Sequence, residues 1–226
     1  MRKNALNLSE ALGLEGPREI GSIYCDMDGV LVDFDSGAKR LLSSIIEDRN
    51  DFPEWKSWIE NSKTAKKSLG LIRQRGIPPS ELRLEDRDVK SMMLSLISQE
   101  PGHFFRELDP LSDGIGDLWS FLNSAGYDVH LLTAPIDARS TATLGDAGSG
   151  KRDWAKMWLS PSPKSVIVTP ADSKQLFAVT DGLKNVIIDD RAATIDQWNA
   201  AGGIAILHEP GNSSKTIKEL KNILGM

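Results

Sequence analysis

Five short apolar runs punctuate the chain: Ser22-Ile23-Tyr24-Cys25, Val129-His130-Leu131-Leu132, Val166-Ile167-Val168, Val186-Ile187-Ile188 and Ile204-Ala205-Ile206-Leu207. Most are continuous rather than alternating, as expected of strands buried on both faces of a parallel sheet. Between the later runs the period lengthens. Ser112 stands ahead of Ile115, Leu118, Trp119 and Leu122, spaced i, i+3, i+4, i+7, with Gly126 as a stop. Further helices are predicted from Lys151 to Leu159, from Asp172 onward, from Thr194 to Gly202-Gly203, and from Ser213 through Ile217, Leu220 and Leu224. Strands alternating with helices predict a doubly wound α/β sheet with five parallel strands.

The first and second runs are about a hundred residues apart, far more than one crossover needs. That gap holds helical patterns of its own: Leu41, Leu42, Ile45, Ile46; then Trp55, Trp58, Ile59; then Val89, Met92, Met93, Leu96, Ile97, with Ile77-Pro78-Pro79-Ser80 as punctuation. A small helical module inserted after the first strand is the economical reading. Near strand C-terminal ends it would sit over the place where open α/β sheets bind ligands. The expected division is an N-terminal extension over 1–20, a core over 21–35 and 101–226, and a helical cap over 36–100. A length of 226 residues fits, being about one and a half domains at ~150 residues each.

Composition removes whole classes of function. Apolar residues make up 40% and charged residues 26%, ordinary for a chain that buries a core. The net charge of −5 argues against a nucleic-acid binder. The one cysteine, Cys25, excludes an intramolecular disulfide and cysteine-rich zinc motifs. No apolar run approaches the ~20 residues that span a bilayer, and the N-terminus lacks a signal-peptide core. A cytoplasmic protein without a membrane partner is expected, and a homodimer is left open.

The candidate chemistry lies at the strand ends. The first run leads into Asp26-Met27-Asp28-Gly29-Val30, two carboxylates that can face one crevice before a glycine turns the chain. The fourth ends in Asp189-Asp190. Acidic groups converging there repel one another unless a hard cation sits between them, and oxygen ligands favour Mg²⁺. Thr133 ends the second run, and Lys174 opens the helix after the third. A nucleophile, an acid, a metal site and cationic and hydroxyl donors are what phosphoryl transfer requires. Taken singly each piece has a plainer use: an Asp-x-Asp caps turns, Thr133 ends a strand, Lys174 is solvated, and Asp189-Asp190-Arg191 caps a helix. Their order, each at the end of a successive strand, favours the chemistry.

The segment Asp26-Met27-Asp28-Gly29-Val30-Leu31-Val32-Asp33-Phe34 resembles the first motif of the haloacid dehalogenase (HAD) superfamily. Leu131-Leu132-Thr133-Ala134-Pro135 resembles its second motif, Lys174 its third and Ile187-Ile188-Asp189-Asp190-Arg191 its fourth. Within it the chain looks most like the 5'(3')-deoxyribonucleotidases, the C-type 5'-nucleotidases, through Pro101 to Leu111 and through Lys151 with Trp154. The likeness covers most of 22–210, is weak over Ser36–Gln99 and absent from the first twenty residues.

The resemblance implies a HAD-like Rossmannoid core with a helical cap and a Mg²⁺-dependent phosphoric monoester hydrolase acting on nucleoside monophosphates, deoxyribonucleotides foremost. Asp26 would be the nucleophile, forming an aspartyl-phosphate. Asp28 would protonate the leaving oxygen and then activate water. The metal would be held by Asp26, the backbone carbonyl of Asp28 and Asp189, with Asp190 just outside them. Thr133 and Lys174 would hold phosphate oxygens, Lys151 matches a lysine near the phosphate, and Ala134 and Arg191 fall beside substrate. Phe34 stands where this group sets an aromatic against the base. Two departures bear on selectivity. The family often has Thr-Ser-Pro where this chain has Thr133-Ala134-Pro135, removing a hydroxyl. Lys174 lies fifteen residues before Asp189, a longer gap than in animal enzymes, which leaves Lys164 as a substitute.

Other features are decoys or structural. Gly145-Asp146-Ala147-Gly148-Ser149-Gly150-Lys151 matches the first seven positions of a P-loop, but Arg152 stands where Ser or Thr would bind Mg²⁺, and a loop before a helix is the plainer reading. His103, His130 and His208 show no ligand spacing; Trp55 and Trp58 are expected to pack the insert, and Cys25 to be an inert buried thiol. The rival readings are a HAD phosphatase for a sugar phosphate or a nucleic-acid terminal phosphate, and a non-catalytic nucleotide-binding protein of the same fold.

Overall fold

The computed structural model describes residues 20–49, 53–136 and 141–226. The expected N-terminal extension and the side chain of Trp55 lie outside the described residues. The apolar runs form strands β1 (Ile20–Cys25), β2 (Val129–Thr133), β3 (Ser165–Val168), β4 (Val179–Thr180), β5 (Leu183–Asp189) and β6 (Ile204–Leu207). Five of them are parallel in the order β3-β2-β1-β5-β6, as the pattern predicts. The two-residue β4 pattern carries no period, and it pairs antiparallel with the start of β5. The turn between them, Asp181-Gly182, has φ of 52° and 80°, the left-handed pair that a tight hairpin needs.

Alternation along the central strand explains the continuous hydrophobicity. Ile23 and Cys25 of β1 enter one apolar layer with Val186 and Ile188, while Tyr24 enters a smaller one with Leu132, Ile187 and Trp198. Both faces are covered, so the strands read as continuous rather than alternating apolar runs.

Helices fill the connections: α1 (Phe34–Ile46), α2 (Pro53–Asn61), α3 (Lys63–Gln74), α4 (Arg87–Ile97), α5 (Pro101–Arg106), α6 (Trp119–Ser124), α7 (Thr141–Trp158), α8 (Ala192–Ala200) and α9 (Ser213–Leu224). No helix among the described residues is long and apolar enough to cross a membrane. Local signals start several of them: Asp33 Oδ1 accepts from Ser36 N at α1, and Ser62 Oγ from Ala65 N at α3. Three expectations need correction. Ser112 lies inside the first helical turn rather than capping it, and a π turn over Gly114–Leu118 precedes α6. The helix expected from Asp172 is a 3-10 turn over Ala171–Phe177. The helix expected from Lys151 starts ten residues earlier, absorbing the P-loop-like run. Helices α3 and α5 escaped the periodicity.

The insert is four α-helices. Leu41 and Leu42 of α1, Ile72 of α3 and Met92 and Leu96 of α4 pack into the same apolar body as β1. The insert therefore rests on the sheet edge where the strands end, and α4 carries Lys90, Met93 and Leu94 to the wall of a cavity there.

Candidate active site

The backbone at the end of β1 is tightly drawn. Asp26 N donates to Ile188 O, holding β1 to β5, and the amides of Leu31 and Val32 both return to Met27 O. This closes a small loop that requires φ of +75° at Gly29. A Cβ at Gly29 would collide with the Asp190 carboxylate, so glycine admits the fourth-motif acid to the first-motif turn.

Three carboxylates meet there. Asp26, Asp189 and Asp190 each offer an oxygen within 4.8 Å of the other two. Asp26 Oδ1 accepts from Met27 N at 2.8 Å, and its Oδ2 lies 2.9 Å from Lys174 Nζ. Asp189, with no exposure, accepts from Lys174 at 2.7 Å and from Arg191 N at 2.9 Å. Burial and the charges of Asp26, Asp189 and Asp28 push the Asp190 carboxyl up to about 7. Burial and Asp26 also raise Asp189. Burial works against the Lys174 charge, but Asp26 and Asp189 more than offset it and raise its pKa. One lysine leaves the triplet's negative charge uncompensated, and hard oxygen donors at this separation suit a divalent cation.

Asp28 stands apart from that triplet; its Oδ2 is 2.6 Å from Lys151 Nζ, which also donates to Thr133 Oγ1 at 2.9 Å. Asp28 Oδ1 is buried and has no hydrogen-bond partner. Burial raises the Asp28 carboxyl above its ordinary value, against the pull of Lys151. Cys25 is buried under the site, and burial together with the Asp26 charge drives its thiol well up, keeping it neutral.

A cavity of about 530 Å³ opens in front of these groups. Its floor includes Asp26, Asp28, Lys174 and Asp190; its walls include Phe34, Met93, Leu94, Leu111, Ala134 and Arg191. Phe34 is braced by Phe104, ring centroids 5.8 Å apart, and by Phe105 at 6.4 Å. Every site residue expected from the sequence is thus brought to one strand edge. Thr133 and Lys151 are buried behind Asp28 and are not among the cavity's lining residues. Lys164 is excluded: it precedes β3, at the opposite edge of the sheet, 3.5 Å from Asp128. Sequence reasoning missed Lys90, Met93 and Leu94; the apolar stripe of α4 was visible, but not the neighbour it faces.

No family model and no curated protein matches this chain. Solved structures do. A haloacid dehalogenase-like family hydrolase from Xanthomonas campestris is 14% identical, with a TM-score of 0.50 over 93% of this chain and 96% of that one. The HAD-hydrolase YfnB of Bacillus subtilis, in a magnesium-bound form, is 14% identical over 92% of this chain and 99% of that one, at TM-score 0.49. A subfamily IA HAD hydrolase from Geobacter sulfurreducens is 12% identical over 87% and 90%, again at 0.49. At such identities the likeness is one of fold, and the fold is that of the HAD-superfamily hydrolases.

Proposed function

We propose that this protein is a Mg²⁺-dependent phosphatase of nucleoside monophosphates, deoxyribonucleotides foremost, working through a phosphoaspartate on Asp26. The observation that carries this reading is the cavity floor, which two carboxyls of different surroundings, Asp26 and Asp28, both line. Asp26 is bound by Lys174; Asp28 is held at one oxygen and bare at the other. Environments that separate two neighbouring carboxyls assign a nucleophile and an acid.

In the forward step an Asp26 oxygen attacks phosphorus, the bond to the leaving oxygen breaks, and Asp28 gives that oxygen its proton. In the return step Asp28 takes a proton from water, the water oxygen attacks phosphorus, and the Asp26 O–P bond breaks to release phosphate. Lys174 and the backbone at Ala134, both lining the cavity, receive phosphate oxygens. Asp26, Asp189 and Asp190, with the Asp28 carbonyl, would hold Mg²⁺, which when bound supplies Lewis-acid neutralisation of the phosphoryl charge. Phe34, braced by two phenylalanines, offers the base a rigid face, and the insert acts as a cap that excludes water when closed.

A phosphate-release screen with Mg²⁺ over deoxy- and ribonucleoside monophosphates, sugar phosphates and phosphorylated oligonucleotides tests this directly. Nucleoside monophosphates are expected to lead, and a sugar phosphate or an oligonucleotide in first place would replace the substrate assignment. Asp26→Asn should abolish turnover while its melting temperature stays within a few degrees. Phe34→Ala should raise KM for nucleotides by roughly tenfold, since a base–aromatic contact contributes ~1–3 kcal/mol. Its KM for p-nitrophenyl phosphate should stay within twofold, and equal effects would remove the stacking role.

A further inference from the structure

Two buried lysines reach this site from different elements, and they attend to different carboxylates. Lys174, on the 3-10 turn after β3, lines the cavity and bridges Asp26 and Asp189. Lys151, on α7, is 1% exposed and does not line the cavity. Its ammonium is used up behind the floor: 2.6 Å to Asp28 Oδ2, 2.9 Å to Thr133 Oγ1 and 4.1 Å over the centroid of Phe105.

The sequence around Lys151 is built to deliver it there. The glycines that mimic a P-loop lie within α7, and one of them, Gly150, sets how closely it packs against α5. A Cβ at Gly150 would collide with the backbone carbonyl of Gly102, and a Cβ at Gly102 would stand 2.6 Å from Asp146 Oδ1. With both positions bare, Asp146 Oδ2 accepts from Gly102 N at 3.0 Å, on one side of Lys151. On the other side Trp154 Nε1 donates to Leu108 O at 2.8 Å. Helix α7 is therefore pinned on both sides of the lysine, and Phe105 of α5 forms the floor under its ammonium.

We infer that Lys151 is a positioning residue that acts through Asp28, fixing the orientation of that carboxyl by its contact with Oδ2, and that it does not bind phosphate itself. The inference rests on the phosphatase reading above. A carboxyl clamped by a buried ammonium keeps one orientation, and proton transfer needs the heavy atoms within ~2.6–3.2 Å. Phosphate, arriving from the cavity, meets Lys174 and not Lys151.

The test compares wild type with Lys151→Met and Lys151→Arg in Mg²⁺ on two esters. A nucleoside monophosphate has an alkoxide leaving group that needs a proton; p-nitrophenyl phosphate releases a phenolate that does not. The readout is kcat/KM, which reports the phosphorylation step, together with the inhibition constant of orthophosphate. For Lys151→Met, kcat/KM on the nucleotide should fall by about a hundredfold or more, within the range of general acid catalysis. The fall on p-nitrophenyl phosphate should be at least tenfold smaller, and orthophosphate inhibition should stay within threefold. Equal falls on both esters, or orthophosphate inhibition weakened in step with kcat/KM, would overturn the inference and make Lys151 a phosphate ligand or a structural residue. Should Lys151→Met not fold, Lys151→Arg decides by the same comparison, its bulkier head displacing the carboxyl while keeping the charge. Absence of turnover on both esters by wild type would overturn the phosphatase reading, and this inference with it.

Discussion

Asp86 is used three times over. Its Oδ1 accepts from the amides of Asp88 at 3.0 Å and Val89 at 3.3 Å, capping α4, and its Oδ2 sits 2.7 Å from Arg75 Nη2. The Arg75 hydrogen bond, with the two amides, lowers its carboxyl to about 2 from an ordinary 3.8. A depressed folded-state value means that the stabilisation is complete above pH 3.8 and disappears as pH falls through 2. Asp86 should therefore still be ionised at pH 3, when ordinary exposed aspartates are largely protonated. A carbon-detected NMR titration checks this, and a midpoint near 3.8 would contradict it. The cap matters beyond its own turn because α4 carries Lys90, Met93 and Leu94 to the cavity.

At the scale of elements, the contact between α5 and α7 makes glycines of opposite consequence within one helix. Gly150 meets the Gly102 backbone, whereas a Cβ at Gly145 would meet nothing within 4 Å. Gly145→Ala should stabilise by up to ~1 kcal/mol through helix propensity alone. Gly150→Ala should destabilise by about 1–3 kcal/mol, because overpacking against backbone outweighs that gain. Urea melts of the two variants check the pair, and equal signs would contradict the close approach. The same contact explains what was legible in the sequence. The five parallel strands could be read because burial on both faces writes continuous apolar runs. Helix α3 was not read because only Leu69 and Ile72 among its buried positions are large and apolar; Ala65 and Ser68 leave its stripe faint. The glycine run before Lys151 looked like loop because glycine disfavours helix locally, and tertiary packing overrode that preference. The acids, Thr133 and Lys174 could be named from their order along the chain, and Lys151 from the family resemblance alone. Which carboxylate each lysine reaches depends on how two helices cross, and no local pattern encodes that.

Across the whole molecule, cation binding at the acidic triplet would couple to stability. Three carboxylates within 4.8 Å of one another repel in the absence of a cation, and Asp190 is held near 7. Mg²⁺ at about 100 times its Kd should stabilise the fold by ~2.7 kcal/mol. For a chain of this length that is a rise in Tm of roughly 5–10 °C. Asp190→Asn should raise Tm in EDTA, by relieving repulsion, and should lose most of the Mg²⁺ response. Calorimetry with and without Mg²⁺ tests both, and an unchanged response in the variant would remove Asp190 from the metal site.

The order β3-β2-β1-β5-β6 sets a schedule for the ribosome. The strand leading to Asp26 is made well before the neighbour on one of its sides: Ser22 N meets the side chain of Asn185, 163 residues later. At ~5–20 residues per second that delay is roughly 8–30 s. During it the central strand of the sheet has an open edge, and the three acids of the triplet are not yet together. The candidate site is thus completed only after β5 is made, although its first acid, Asp26, precedes Asp189 by more than 160 residues.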